Sequence, residues 1–73
     1  MPDDNRYGVR VEAQDGAGWR VVIVDPTGGD AGVRVCSDGA EARTYASTVR
    51  QHIYWLSEEK FRTYYRLEEP AGG

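Results

Sequence analysis

The chain has one cysteine, one histidine and one lysine among its 73 residues. A single cysteine, Cys36, cannot close an intramolecular disulfide, and Cys36 with His52 falls short of the three or four protein ligands that a zinc site needs. Neither staple is therefore expected in a chain short enough to want one, and no cofactor or metal ligand is assigned. Long apolar runs are missing too: the longest, Val21 to Val24, is far below a membrane span. Met1 is followed by Pro2-Asp3-Asp4-Asn5 and not by a basic segment and an apolar stretch, so no signal peptide is expected. An unpaired thiol without a targeting segment makes a reducing cytoplasm the expected compartment. A basic surplus is also lacking. Net charge is -3 and the isoelectric point about 5.0, which argues against a chain that coats nucleic acid or anionic lipid without specificity. Eight arginines against the single Lys60 point to a GC-rich bacterial genome, because arginine codons are GC-rich.

What the sequence does hold is alternation. Tyr7, Val9, Val11 and Ala13 alternate with Gly8, Arg10 and Glu12, the pattern of a half-buried strand. Gln14 to Gly18 is a turn cluster, and Trp19 to Asp25 resumes as a β-branched run. Placing Ala13 opposite Trp19 sets Val11 opposite Val21, Val9 opposite Ile23 and Glu12 opposite Arg20, so apolar pairs share one face and an ion pair the other. Asp25 to Asp30 supplies turn chemistry, and Gly32 to Cys36 forms a short third strand carrying Val33 and Val35. Short links predict a meander with Trp19 to Val24 at its centre. One helix covers only one face of such a sheet. Val22 and Val24 then lie on the other, flanked by Arg10 and Glu12 of the first strand and by Arg34 and Cys36 of the third.

After Cys36 the period changes. Asp38 with Glu41 fits a helix N-cap and its capping-box partner, with Ser37 as an alternative cap. Ala42, Tyr45, Ala46, Val49, Ile53 and Leu56 recur at helical steps and form one apolar stripe. Around Ser57 two readings stay open. Ser57 could cap a new helix, with Leu56 and Phe61 as a hydrophobic staple and two glutamates in the first turn. Alternatively one helix continues to about Leu67, roughly 45 Å long against strands of about 20 Å, with Tyr54, Phe61 and Tyr65 as a second stripe on its overhang.

Few residues carry recognisable chemistry. Cys36 and His52 are the one candidate nucleophile and base, but no motif supplies an orienting group or an oxyanion hole, and a packing histidine explains His52 as well. Asp25 to Gly32 joins two strands without a basic residue, unlike a phosphate loop, and its two aspartates offer too few oxygens for calcium. The terminal Gly72-Gly73 resembles the diglycine of ubiquitin-like modifiers, yet those place a strand between helix and tail where this chain has Glu68-Glu69-Pro70-Ala71. Arg10, Arg20 and Arg34 are expected on one sheet face, one per strand. In topology alone, the strand-strand-strand-helix order is similar to integrase arm domains, which implies a sheet that inserts arginines into the DNA major groove. Glu12 opposite Arg20 and the valines on the same face work against that use. The aromatic set Tyr54, Trp55, Phe61, Tyr64 and Tyr65, interleaved with Arg62 and Arg66, has the composition of interface centres, and equally of a small core.

The sequence therefore predicts an α+β fold: a three-stranded antiparallel meander followed by a long C-terminal helix, straight or bent. Residues 7–68 form the β-β-β-α domain, with tails at 1–6 and 69–73. The expected role is that of a small non-enzymatic protein-interaction or oligomerisation module, a homodimer with Val22, Val24, Tyr54, Phe61 and Tyr65 at its interface, with no membrane association. The alternative is a DNA-binding protein using Arg10, Arg20 and Arg34; a cysteine-dependent enzyme or a modifier protein comes third.

Overall fold

The computed structural model describes residues 5–14, 16 and 18–67. Strands β1 (Gly8–Ala13), β2 (Trp19–Val24) and β3 (Asp30–Cys36) are followed by helices α1 (Gly39–Trp55) and α2 (Glu58–Tyr65). The sheet is antiparallel in the order β1-β2-β3. Between β1 and β2 the register is the one that the alternation implies: Ala13 faces Trp19, Val11 faces Val21 and Val9 faces Ile23. At the β2–β3 turn the Asp25 carboxylate accepts hydrogen bonds from the backbone N–H groups of Thr27 and Gly29 at 2.9 and 3.0 Å and from the Thr27 hydroxyl at 2.6 Å. Those donors, the Thr27 hydroxyl foremost, hold the carboxyl below its usual range. Gly28 takes φ 93°, a conformation that a side chain would strain.

Two expectations give way to the observed geometry. The first concerns β3, whose pairing with β2 is irregular between Ile23 and Val24, so that Ala31 is the extra residue of a bulge. Beyond it Val22 pairs with Val33, Arg20 with Val35, and Val21 with Arg34. Val33 and Val35 therefore share the face of Val22, while Arg34 and Cys36 lie on the helix side, the reverse of the expected phase. The second concerns the helix, which is not one long element. α1 spans 17 residues and ends where Leu56 adopts an extended conformation. Ser57 then caps the 8-residue α2, its hydroxyl accepting from the Lys60 N–H at 3.2 Å. Of the two open readings, the capped one holds, and Tyr54, Phe61 and Tyr65 form no common stripe.

At the start of α1 the Asp38 carboxylate accepts from the Glu41 N–H at 2.8 Å. Glu41 returns the contact one residue further back than a capping box would, accepting from the Ser37 N–H at 2.9 Å and the Ser37 hydroxyl at 2.7 Å. Both candidate caps are thus engaged.

Both helices pack on the same side of the sheet. Under the first half of α1, Ala42 and Ala46 bring the helix close to Val21 and Cys36. Under its second half, Val49 meets Tyr7, Ile23 and Phe61, with the Tyr7 and Phe61 rings 5.0 Å apart. Leu67, just past α2, approaches Gly32 so closely that a Cβ there would lie 3.1 Å from it. Asn5 and Arg6 precede β1 and are tied to the start of α2. Asn5 donates to the Leu56 carbonyl at 3.1 Å, and Arg6 binds the Glu58 carboxylate through its backbone N–H and its guanidinium. Those hydrogen bonds hold the Glu58 carboxyl below its usual range. Of the expected tails at 1–6 and 69–73, residues 1–4 and 69–73, with the diglycine, lie outside the described residues. Among the described residues no helix is long and apolar enough to cross a membrane.

The core makes opposite predictions for two adjoining rings. Phe61 is fully buried, so Phe61→Ala should cost about 3–5 kcal/mol in urea unfolding. Tyr7 buries a hydroxyl with no hydrogen-bond partner among the described residues. Tyr7→Phe should therefore leave stability unchanged or raise it by about 1 kcal/mol, and a loss of that size would show the hydroxyl to be bonded.

Candidate interaction face

Among the described residues, no element covers the face away from the helices. In register across it lie Arg10, Val22 and Val33 in one row and Glu12, Arg20 and Val35 in the next. Val22, at the centre, is hidden from water although no helix covers it, because Arg10, Arg20, Val24 and Val33 surround it with side-chain stems. Val33 and Val35 on the edge strand are 54 % and 77 % exposed. The charged part of the face is internally neutral. Glu12 binds both Arg10 and Arg20, and Arg10 also reaches Asp30 at 3.2 Å. Two cations stand against two carboxylates, and hydrogen bonds from Arg20 and Arg10 hold the Glu12 carboxyl below its usual range.

This arrangement separates the three arginines. Arg10 and Arg20 share the open face, but Arg34 is on the helix side with its guanidinium carbon 4.8 Å from the centre of the Tyr45 ring. A row of three arginines offered to a DNA groove does not exist on this sheet.

The residues expected at an interface also divide. Phe61 is core, Tyr65 is packed against that core, and Val22 has no exposed surface. Val24 is half-buried and Tyr54 is 86 % exposed. Sequence reasoning missed Val33 and Val35. The usable signal was Cys36, since an unpaired cysteine is among the most buried residue types. Turning Cys36 inward turns Arg34 inward with it and both valines outward. Trp55 and Tyr64, also exposed, flank the α1–α2 corner, where Leu56, Lys60, Thr63 and Tyr64 line a shallow groove of about 520 Å³.

No catalytic pair is assembled. Cys36 packs against Ala42 and Ala46, whereas His52 lies about 9–15 Å further along α1 by the helical rise. The imidazole Nδ1 is 2.6 Å from the Tyr65 hydroxyl, and its ring packs 4.5 Å from that of Tyr64. His52 joins the two helices. Among the described residues no group of three or more His, Cys, Asp or Glu could hold a metal ion. Comparison with protein-family models, curated proteins and solved structures found no match to this chain.

Burial, with lesser contributions from Tyr45 and Tyr64, pushes the Tyr65 phenol up to about 12 from an ordinary 10.0. The folded state thus keeps this proton to higher pH than the unfolded state does. The resulting stability is fully present below pH 10 and is lost as pH rises towards 12. A difference titration at 295 nm between the native chain and Tyr65→Phe should isolate one phenol ionising near pH 12. Ionisation at pH 10 would place Tyr65 in water.

Proposed function

We propose that this chain is a non-enzymatic association module whose uncovered sheet face pairs with the same face of a second copy. The observation that carries the reading is that both helices lie on one side of the sheet, while Val33 and Val35 stand exposed on the other. The pattern on that face is self-complementary. A two-fold axis across the strands, passing between the two rows, exchanges Val33 with Val35 and Arg10 with Glu12. Valine then meets valine over β3, and each arginine over β1 meets a glutamate of the other copy. Such an isologous contact is the commonest form of homo-oligomer, and two sheets packed this way sit about 10 Å apart. Nucleic acid is a poorer occupant: both arginines on the face are already neutralised, and the chain as a whole is acidic.

In light scattering at micromolar concentration the chain should show twice its 8.2 kDa mass. Val35→Asp, at an exposed position, should return it to one copy with an unchanged circular dichroism spectrum. A native chain that stays monomeric at millimolar concentration overturns the proposal. Dissociation by Tyr54→Ser with Trp55→Ser, but not by Val35→Asp, would move the interface to the aromatic corner.

A further inference from the structure

The ion pairs on the face away from the helices converge on one residue. Glu12 divides its two carboxylate oxygens between two cations: Oε1 accepts from Arg20 at 2.6 Å and Oε2 from Arg10 at 2.5 Å. Arg10 also reaches Asp30 at 3.2 Å, so it keeps a carboxylate when Glu12 loses its charge. Arg20 does not. Among the described residues Glu12 is the one carboxylate paired with it. The charged groups on this face are thus Arg10 and Glu12 of β1, Arg20 of β2 and Asp30 of β3; Val22, Val24, Val33 and Val35 carry none, and both helices pack on the opposite side.

Position makes the two arginines unequal. Arg10 belongs to an edge strand and Arg20 to the central one. In a single copy, water can hydrate an Arg20 that has lost its partner. In a pair it cannot: the two-fold axis that stacks Val33 on Val35 also stacks β2 on β2, which sets Arg20 over Val22 of the second copy. A guanidinium held there without a counter-ion leaves water for an apolar surface, at a cost well above the benefit of an exposed ion pair.

On the pairing of two copies proposed above, on which this step rests, we infer that Glu12 is its gate: the ionised carboxylate lets the two sheet faces close, and a proton on it separates them. A proton on either oxygen turns that acceptor into a hydroxyl and releases Arg20 or Arg10. Hydrogen bonds from Arg20 and then Arg10 hold the Glu12 carboxyl below its ordinary range in one copy. Closing the faces adds Arg10 of the second copy and lowers it further. The pair therefore binds fewer protons at Glu12 than two separate copies do. Its stability is fully present above the ordinary carboxylate range and is lost as pH falls through it.

The test is the dimer dissociation constant of the full 73-residue chain by sedimentation equilibrium, with Val35→Asp as the single-copy reference. Glu12→Gln at pH 7 keeps the shape of the side chain without its charge, and should weaken the dimer at least about thirtyfold with an unchanged circular dichroism spectrum. Adding Arg20→Met removes the stranded cation and should restore most of the affinity. Asp30→Asn leaves Arg20 its partner and should change the constant less than about threefold. For the native chain the constant should rise from pH 7 towards about pH 3, and most of that rise should vanish in the Glu12→Gln, Arg20→Met double variant. A native dimer that Val35→Asp dissociates and Glu12→Gln leaves intact overturns the inference while the pairing stands; so does a double variant no tighter than Glu12→Gln. A native chain that stays monomeric at millimolar concentration, or a dimer indifferent to Val35→Asp, overturns the pairing and the inference with it. Should Glu12→Gln lose the spectrum of the folded chain, the native pH profile decides, and a flat one overturns the inference.

Discussion

Between Trp55 and Glu58 the chain turns a corner in two residues, and the shape of the molecule depends on it. Leu56 is extended at φ -109°, ψ 148°, and Ser57 at φ -66°, ψ 166°. A helix cannot continue through such angles, and the serine hydroxyl satisfies an N–H that the new helix would leave orphaned. Asn5 on the Leu56 carbonyl and Arg6 on Glu58 tie the chain start to the same corner. The consequence is positional. α2 returns beside α1 and delivers Phe61 to Tyr7, Val49 and Ile23. A continuous helix would have carried Phe61 beyond the sheet, and a helix turned the other way would have covered Val33 and Val35.

The one-sidedness that follows divides the apolar side chains into two populations. Val21, Ile23, Val49 and Phe61 are buried between sheet and helices, and each removes its surface from water at about 25 cal/mol per Å². Val33 and Val35 make no such contribution in a single copy. The ion pairs beside them add little either, because exposed pairs are screened by solvent and hold long side chains at an entropic cost. The open face is therefore a poor source of stability for one copy. A partner that dehydrated it would change both terms, burying the valines and strengthening the charge pairs in a lower dielectric.

The first hairpin was legible because two independent signals, alternation and turn position, agree on one register, and a one-residue slip would have put Arg10 and Glu12 into the core. The α1 stripe was legible for a similar reason: Ala42, Ala46 and Val49 fall at helical steps and all three are buried. β3 was harder. Its valines suggested an inward face, and the bulge at Ala31 broke the link between turn and phase, so that Cys36 was the only residue type pointing the right way. Around Ser57 the residues supported either reading, since Leu56, Ser57 and the two glutamates are compatible with a helix interior and with a cap. Only the tertiary contacts of Asn5, Arg6 and Phe61, distant in sequence, decide between them.

Charge completes the distinction between the two sides. Seen as composition, eight arginines in a small chain invite an anionic partner. Placed in the fold, Arg6, Arg10 and Arg20 each meet a carboxylate, so composition overstates the cationic surface. Arg34 differs in kind: its guanidinium rests on the Tyr45 ring, and after the Ser37 hydrogen bonds its charge helps to hold the Glu41 carboxyl below its usual range. A nucleic acid reads a cationic field spread over several phosphates, and guanidiniums already matched by carboxylates contribute little to it. The two sides of the sheet thus differ in kind: one carries ion pairs and exposed valines, and the other is packed under the helices with Arg34 over the Tyr45 ring.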